Sequence, residues 1–165
     1  MIKAVENKKI KRDKSINSRK FNLGKAKCTI LSPYYTVNND YNNHSLVVKV
    51  EYGSTSFLFT GDAEDKMENK LISKGDNLSA TVLKVGNHGS DSSTTSEFLD
   101  KVNPEYAVVS VGADNSYGNP QLSTMNRLKD RGIEVYRTDE NGTIVATSDG
   151  SNVTFSTSPG SYNGN

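Results

Sequence analysis

"TSFLFTGDAEDKMENKLISKGDNLSATVLKVGNHGS", residues 55–90, decides the fold. It opens on an apolar run, "TSFLFTG" (55–61), that reads as a strand stopped by glycine. "AEDKMENKLISKG" (63–75) changes period: Met67 and Leu71 stand one helical turn apart, and Gly75 supplies the stop. "ATVLKVG" (80–86) is then a short, buried strand. The connection is long enough for a parallel crossover, which a hairpin turn is not. Directly after the second strand comes His88, one of only two histidines in the chain, set among Gly, Asn and Ser.

The same grammar continues downstream. Thr94-Thr95-Ser96-Glu97 reads as a capping box that opens a helix with Phe98, Leu99 and Val102 inward. "YAVVSVG" (106–112) is a third buried strand, and "NPQLSTMNRLKDRG" (119–132) a helix with Asn as cap and Pro at its first position. "EVYRT", "GTIVATS" and "NVTFSTS" read as short antiparallel strands, and "PGSYNGN" as a frayed tail. Upstream, "KCTIL" is a strand, "YYTVNNDYNN" (34–43) a polar loop, and "SLVVKVEY" (45–52) a strand turning back at Gly53-Ser54.

At 165 residues the chain has the size of one domain. No run approaches the ~20 apolar residues of a membrane span, and no targeting segment is expected. The single cysteine, Cys28, excludes an internal disulfide and reads as a small buried hydrophobe. A net charge of +1 hides an asymmetry: residues 1–27 hold ten Lys/Arg against Glu6 and Asp13, a balance of +8, leaving about −7 on the rest.

Three parallel strands put their carboxyl ends on one edge, where α/β sheets bind ligands. The loops delivered there are "TGDAE" (60–64), "VGNHGSDSS" (85–93) and "VGADNSYGNP" (111–120), carrying Asp62, His88 and Asn119. A carboxylate and an imidazole suit a divalent ion such as zinc. Asp62 also suits a helix cap, His88 a turn, and Asn119 a cap. His44, before the strand that pairs with Asp62's own, is a third candidate ligand.

"NNHSLVVKVEYGSTSFLFTGDAE", "ATVLKVGNHGS", "FLDKVNPEYAVVSVGADNSYGNP" and "VYRTDENGTI" together resemble one family. It is the metallo-β-lactamase-fold hydrolases of the bacterial competence ComEC type, matched from about Phe21 to Gly150. The resemblance implies an αββα sandwich of two half-domains, with one or two zinc or manganese ions activating a water against phosphodiester bonds. The family's first half carries His-x-His-x-Asp-His, which this chain lacks. The expected fold is therefore α/β (α+β), the C-terminal half of the sandwich, with a mixed sheet and helices on one face. Residues 1–20 are expected as a basic, partly disordered lead-in, 21–158 as the partial domain and 159–165 as a flexible tail.

By resemblance, Asp62 and His88 are the metal ligands. Asn87 and Asn119 stand where the family usually has histidine, and with Ser90 they are expected to position substrate. Asparagine cannot supply a proton near neutral pH, so turnover is expected to be poor, and with only two ligands this chain alone is expected to retain little metal. The implied partners are a missing N-terminal half-domain or a second copy, and DNA or another phosphodiester. The implied setting is bacterial, extracytoplasmic or membrane-associated. Two other readings stay open: a catalytically inactive half-domain that folds or binds a partner, and nucleic-acid binding through residues 1–27.

Overall fold

The computed structural model describes residues 6–9, 19–33 and 40–164. Most of the basic lead-in, and residues 34–39 of the Asn-rich loop, lie outside them. Seven strands form one sheet in chain order: β1 (Lys20–Leu23), β2 (Ala26–Ser32), β3 (Val47–Tyr52), β4 (Thr55–Phe59), β5 (Val82–Lys84), β6 (Tyr106–Val109) and β7 (Glu134–Arg137). β1 to β4 are antiparallel neighbours, while β4 to β7 run parallel. The parallel half is reached through α1 (Asp65–Lys74), α2 (Ser96–Val102) and α3 (Leu122–Lys129). β7 was expected to be antiparallel. It is parallel because the chain returns to the starting edge through α3 before laying it down.

Alternation sorts the two faces. Leu58, Leu83, Ala107 and Val135 are in register across β4 to β7 and share one core with Met67, Leu71, Phe98, Leu99, Met125 and Leu128 from the helices. Leu58 and Leu83 are wholly buried, each contributing about 1.5–3 kcal/mol of transfer free energy. The opposite face carries Phe57, Phe59, Val82, Lys84, Tyr106, Val108 and Tyr136. It is covered in part by the hairpin β8 (Ala146–Ser148) and β9 (Val153–Phe155), a separate sheet. Phe155 stacks on Tyr136 with ring centroids 3.8 Å apart and leans on Tyr106 at 5.1 Å. The hairpin's own turn packs on the β3–β4 turn so closely that a Cβ at Gly53 would stand 2.0 Å from Gly150 O. The expected mixed sheet with the long helices on one face is what forms, and Cys28 is buried as expected.

Element ends depart from the sequence reading. The N-cap position of α1 is Glu64, not Asp62, and that of α3 is Gln121, not Asn119. Asn119-Pro120 is instead a cis peptide bond ahead of the helix. The cap of α2 is Thr95, one residue later than the capping box placed it, and its hydroxyl accepts from Phe98 N. Both expected caps are thereby released for other work at the rim. The segment expected to fray has partners: Gly160 N donates to Val135 O (2.7 Å) and Tyr162 Oη to Ile133 O (2.7 Å). Beside it, the buried Arg137 pairs with Asp139 (2.5 Å) and Glu140 (3.2 Å), and Glu140 accepts from Ser161 N (2.6 Å). Leaving the exposed edge of β7 unpaired would be costly, and this segment caps part of it.

Candidate functional site

The carboxyl ends of β4, β5 and β6 open into a cleft of about 490 Å³. Its lining includes Asp62, Asn87, His88, Ser90 and Asn119, so the structure brings five sequence-chosen residues to one place. Asn42, Asp91, Tyr117 and Gln121 complete it. His44 is not among the lining residues. It belongs to a short 3₁₀ turn (Asn42–His44), and its Nδ1 stands 2.6 Å from Asp40 O.

Close backbone contacts bind the three loops into one rim. Asn87 N donates to Gly61 O (3.0 Å), and Gln121 N to Gly89 O (2.9 Å). A Cβ at Gly86 would come within 2.9 Å of Ala63 O, and one at Gly89 within 2.7 Å of Pro120 Cβ. Glycine is required at both positions by approach, and at Gly89 also by its φ of +83°. Asn87 (φ 43°) and His88 (φ 57°) share that left-handed backbone. Each such residue costs on the order of 1–3 kcal/mol, a strain that the surroundings must offset.

Buried charge supplies the offset. Glu68, on the inner face of α1, is 1% exposed and accepts from Thr94 N (2.5 Å), Thr95 N (2.9 Å) and Thr95 Oγ1 (2.8 Å). Burial raises its carboxyl pKa, with the bonds from Thr95 and Thr94 and the charge of Arg127 opposing. From the other side Arg127 donates to Thr94 O (2.9 Å) and Ser93 O (3.0 Å). Thr94, itself at φ +54°, closes the loop by accepting from Gly86 N at Oγ1 (3.2 Å). An acid and a guanidinium thus hold one loop between them, and the loop holds the turn that presents His88.

His88 Nε2 lies 3.4 Å from Asp62 Oδ1, with the two side chains 52% and 47% exposed. The imidazole's Nδ1 is 2.7 Å from Ser110 O, a carbonyl that can only accept. The proton therefore sits on Nδ1, and in the neutral ring Nε2 turns a lone pair toward a carboxylate. Two acceptors so placed call for a proton or a cation between them. Carbonyl bonding at the far nitrogen is also the usual way a metal-ligating histidine is oriented. Asp62 is steadied from behind, where its N–H donates to Ser45 Oγ (3.0 Å). Near Asp62, burial lowers the pKa of the Lys84 ammonium, whose Nζ donates to Val85 O (2.9 Å).

Sequence reading missed Asn42, Glu64, Glu68 and Arg127. "TGDAE" displays Glu64, but as a first-turn acid; its bonds to residues more than twenty positions away leave no local trace.

A mixed sheet with an Asp–His pair on the carboxyl rim of its parallel half defines a recognisable class of α/β domain. The chain belongs to the metallo-beta-lactamase superfamily, whose model matches residues 30–113. Among curated proteins, it is 41% identical over 115 residues to ComE operon protein 3 of Bacillus subtilis. It is 42% identical over 115 residues to competence protein ComA of Neisseria gonorrhoeae, and 42% over 102 to recombination protein 2 of Haemophilus influenzae. These matches take in 70%, 69% and 60% of this chain but only 15%, 17% and 12% of the relatives, so the chain spans a small part of their length. No helix among the described residues is long and apolar enough to cross a membrane.

Proposed function

We propose that this chain is the C-terminal half of a metal-dependent phosphodiesterase of the competence type, acting on DNA or a related phosphodiester. The observation that carries the proposal is the Asp62–His88 pair. Two donors each ~2.0–2.1 Å from a tetrahedral ion stand about 3.4 Å apart, and that is the separation found. A carboxylate oxygen and an imidazole nitrogen with its far side bonded also have the right chemistry for zinc or manganese. Among the described residues no group of three or more His, Cys, Asp or Glu could hold a metal. Asp62 and His88 therefore fit as part of a site, completed by a half-domain bearing His-x-His-x-Asp-His or by a second copy.

A bound divalent ion would supply Lewis acidity and an activated water. Asp62 would hold it from the β4 loop, and the bond from its own N–H to Ser45 Oγ fixes that residue's backbone. His88 keeps its Nδ1 proton on Ser110 O and offers Nε2. Asn87 and Ser90 line the same wall, and Asn119 and Gln121 bring carboxamides to the cleft for the phosphodiester. None of these groups is a strong general acid, so the leaving oxygen lacks the 10²–10⁴-fold help such a group gives.

A second reading has its own support. The sheet face away from the helices keeps Phe59 44% exposed beside a groove of about 230 Å³ lined by Phe57, Val82, Lys84, Val108, Ile144 and Ala146. Such a face suits association, so without its complement the chain serves as a folding or binding module. If the relatives' context carries over, the setting is a bacterial membrane-associated protein.

The test is titration of the 165-residue chain with Mn²⁺ or Zn²⁺, followed by bis-p-nitrophenyl phosphate hydrolysis with and without the complementary half. Weak binding that Asp62→Ala and His88→Ala each abolish, and turnover only in the mixture, are expected. Binding that neither substitution alters would overturn the assignment.

A further inference from the structure

Glu64, at the cap position of α1, carries a half-buried carboxylate for which the proposed chemistry has no role. It collects donors from three segments: Asn42 Nδ2 (2.9 Å), Asn87 Nδ2 (3.0 Å) and Ser92 Oγ (3.1 Å) on Oε1, and Asn43 Nδ2 (3.4 Å) on Oε2. In every one of these bonds the Glu64 oxygen is the acceptor. The amide nitrogens of Asn42 and Asn87, not their oxygens, must therefore turn to Glu64. Both residues line the cleft and Glu64 does not, so Oδ1 is the end of each carboxamide left for a ligand. No described residue donates to either oxygen.

The polarity passes one step further. Ser92 commits its one hydroxyl proton to Glu64, so the 3.0 Å contact between Ser90 Oγ and Ser92 Oγ runs with Ser90 as donor. Ser90, on the cleft wall, also accepts from Ser92 N (3.4 Å) and keeps one lone pair to show. His88 Nε2 and Asp62 already do the same, and the lining includes Asp91 but no Lys or Arg.

We infer that Glu64 is a positioning residue that sets the hydrogen-bond polarity of this wall, turning Asn42, Asn87 and Ser90 so that they present acceptors. The wall then favours an oxygen-preferring divalent cation and repels a bare phosphate; the identity of that ligand rests on the metal reading above. The asparagine at position 87, its nitrogen on Glu64, leaves an oxygen on the cleft side. Carboxylate and carbonyl donors suit Mn²⁺ and Mg²⁺, while imidazole donors suit zinc. The donor set of this wall is thus a hard one, provided Glu64 holds the carboxamides in this orientation.

The experiment uses the full ¹⁵N,¹³C-labelled chain in solution NMR, without metal at first. Scalar coupling across the hydrogen bonds from Asn42 and Asn87 Nδ2 to the Glu64 carboxyl carbon is expected, together with slowed exchange of those side-chain amides. Glu64→Ala, which removes the acceptor, abolishes the coupling and speeds exchange about tenfold, the loss expected for one charge-assisted bond. Absent coupling in the unaltered chain overturns the inference, as do Asn signals unchanged by Glu64→Ala. If that variant does not fold, the unaltered chain decides. Mn²⁺ is then expected to broaden the Asn87 and His88 signals where inorganic phosphate alone leaves them in place, and perturbation by phosphate alone overturns the polarity. Coupling without Mn²⁺ broadening removes the metal reading and leaves the role of Glu64 standing.

Discussion

Beneath the helices the sheet is sealed by apolar side chains such as Leu58, Leu83 and Val109, none measurably exposed. At the rim, one short step along the same strands, the buried groups are Glu68, Ser93, Thr94, Asn119 and Thr124. The first region is held by non-directional burial, which tolerates exchange of one hydrocarbon for another of similar volume. The second is held by directed bonds that Glu64 and Glu68 accept and Arg127 donates, each of which leaves orphaned partners if removed. The contrast fits their tasks. A core needs density, whereas a cleft needs its side chains aimed, and aiming a strained turn such as Asn87–His88 takes groups with direction.

The largest effect that can probe this difference is Leu83→Ala. It removes a wholly buried side chain at the centre of the sheet and should cost about 2–5 kcal/mol in urea unfolding, lowering every part of the molecule together. Glu68→Ala comes next, at about 2–3 kcal/mol, because it strips three donors at Thr94 and Thr95. Its signature is selective: amide exchange around residues 86–95 should quicken more than that of β5 and β6. A uniform response in both variants would erase the distinction between rim and core.

Gly89→Ala should cost roughly 1–3 kcal/mol through the left-handed backbone and the contact with Pro120, and should displace the His88 signals. Acidity offers a gentler probe. The folded pKa of Glu68 is raised, so its contribution is fully present below the ordinary carboxylate pKa and is lost as pH rises through the raised value. Stability should fall there by at most about 1.4 kcal/mol per pH unit. Glu68→Gln should remove that slope, and Leu83→Ala should keep it. Smallest of all, Phe59→Ala on the half-open face should change the stability of the isolated chain by no more than ~0.5 kcal/mol. A loss of several kcal/mol would mean that Phe59 is covered in solution.

The β4–α1–β5 unit was legible because its signals are local: apolar period, glycine stops, and a connection too long for a hairpin. From that topology alone Asp62 and His88 could be brought to one edge, and the structure sets them 3.4 Å apart. Asn119 and Asp62 were legible as polar residues before helices, yet the caps fell to Gln121 and Glu64. Propensity marks which residues can cap; packing of the Gly89–Pro120 contact and of the Gly61 turn selects which one does. β7 read as an antiparallel strand because its length and composition are the same in either direction.

By itself, then, the sequence determined most of the strands (β1 excepted), the three helices that link the parallel ones, the glycines that break them, and which two side chains meet at the carboxyl edge, since all of these follow from periodicity and from the reach of short connections. Only the tertiary structure decided which way the carboxamides of Asn42 and Asn87 face, which nitrogen of His88 carries the proton, and which buried acid and guanidinium clamp the loop between them. Those choices are made by hydrogen bonds between atoms more than twenty residues apart, and the energy of such a bond depends on distance and direction, neither of which is written in the order of the residues.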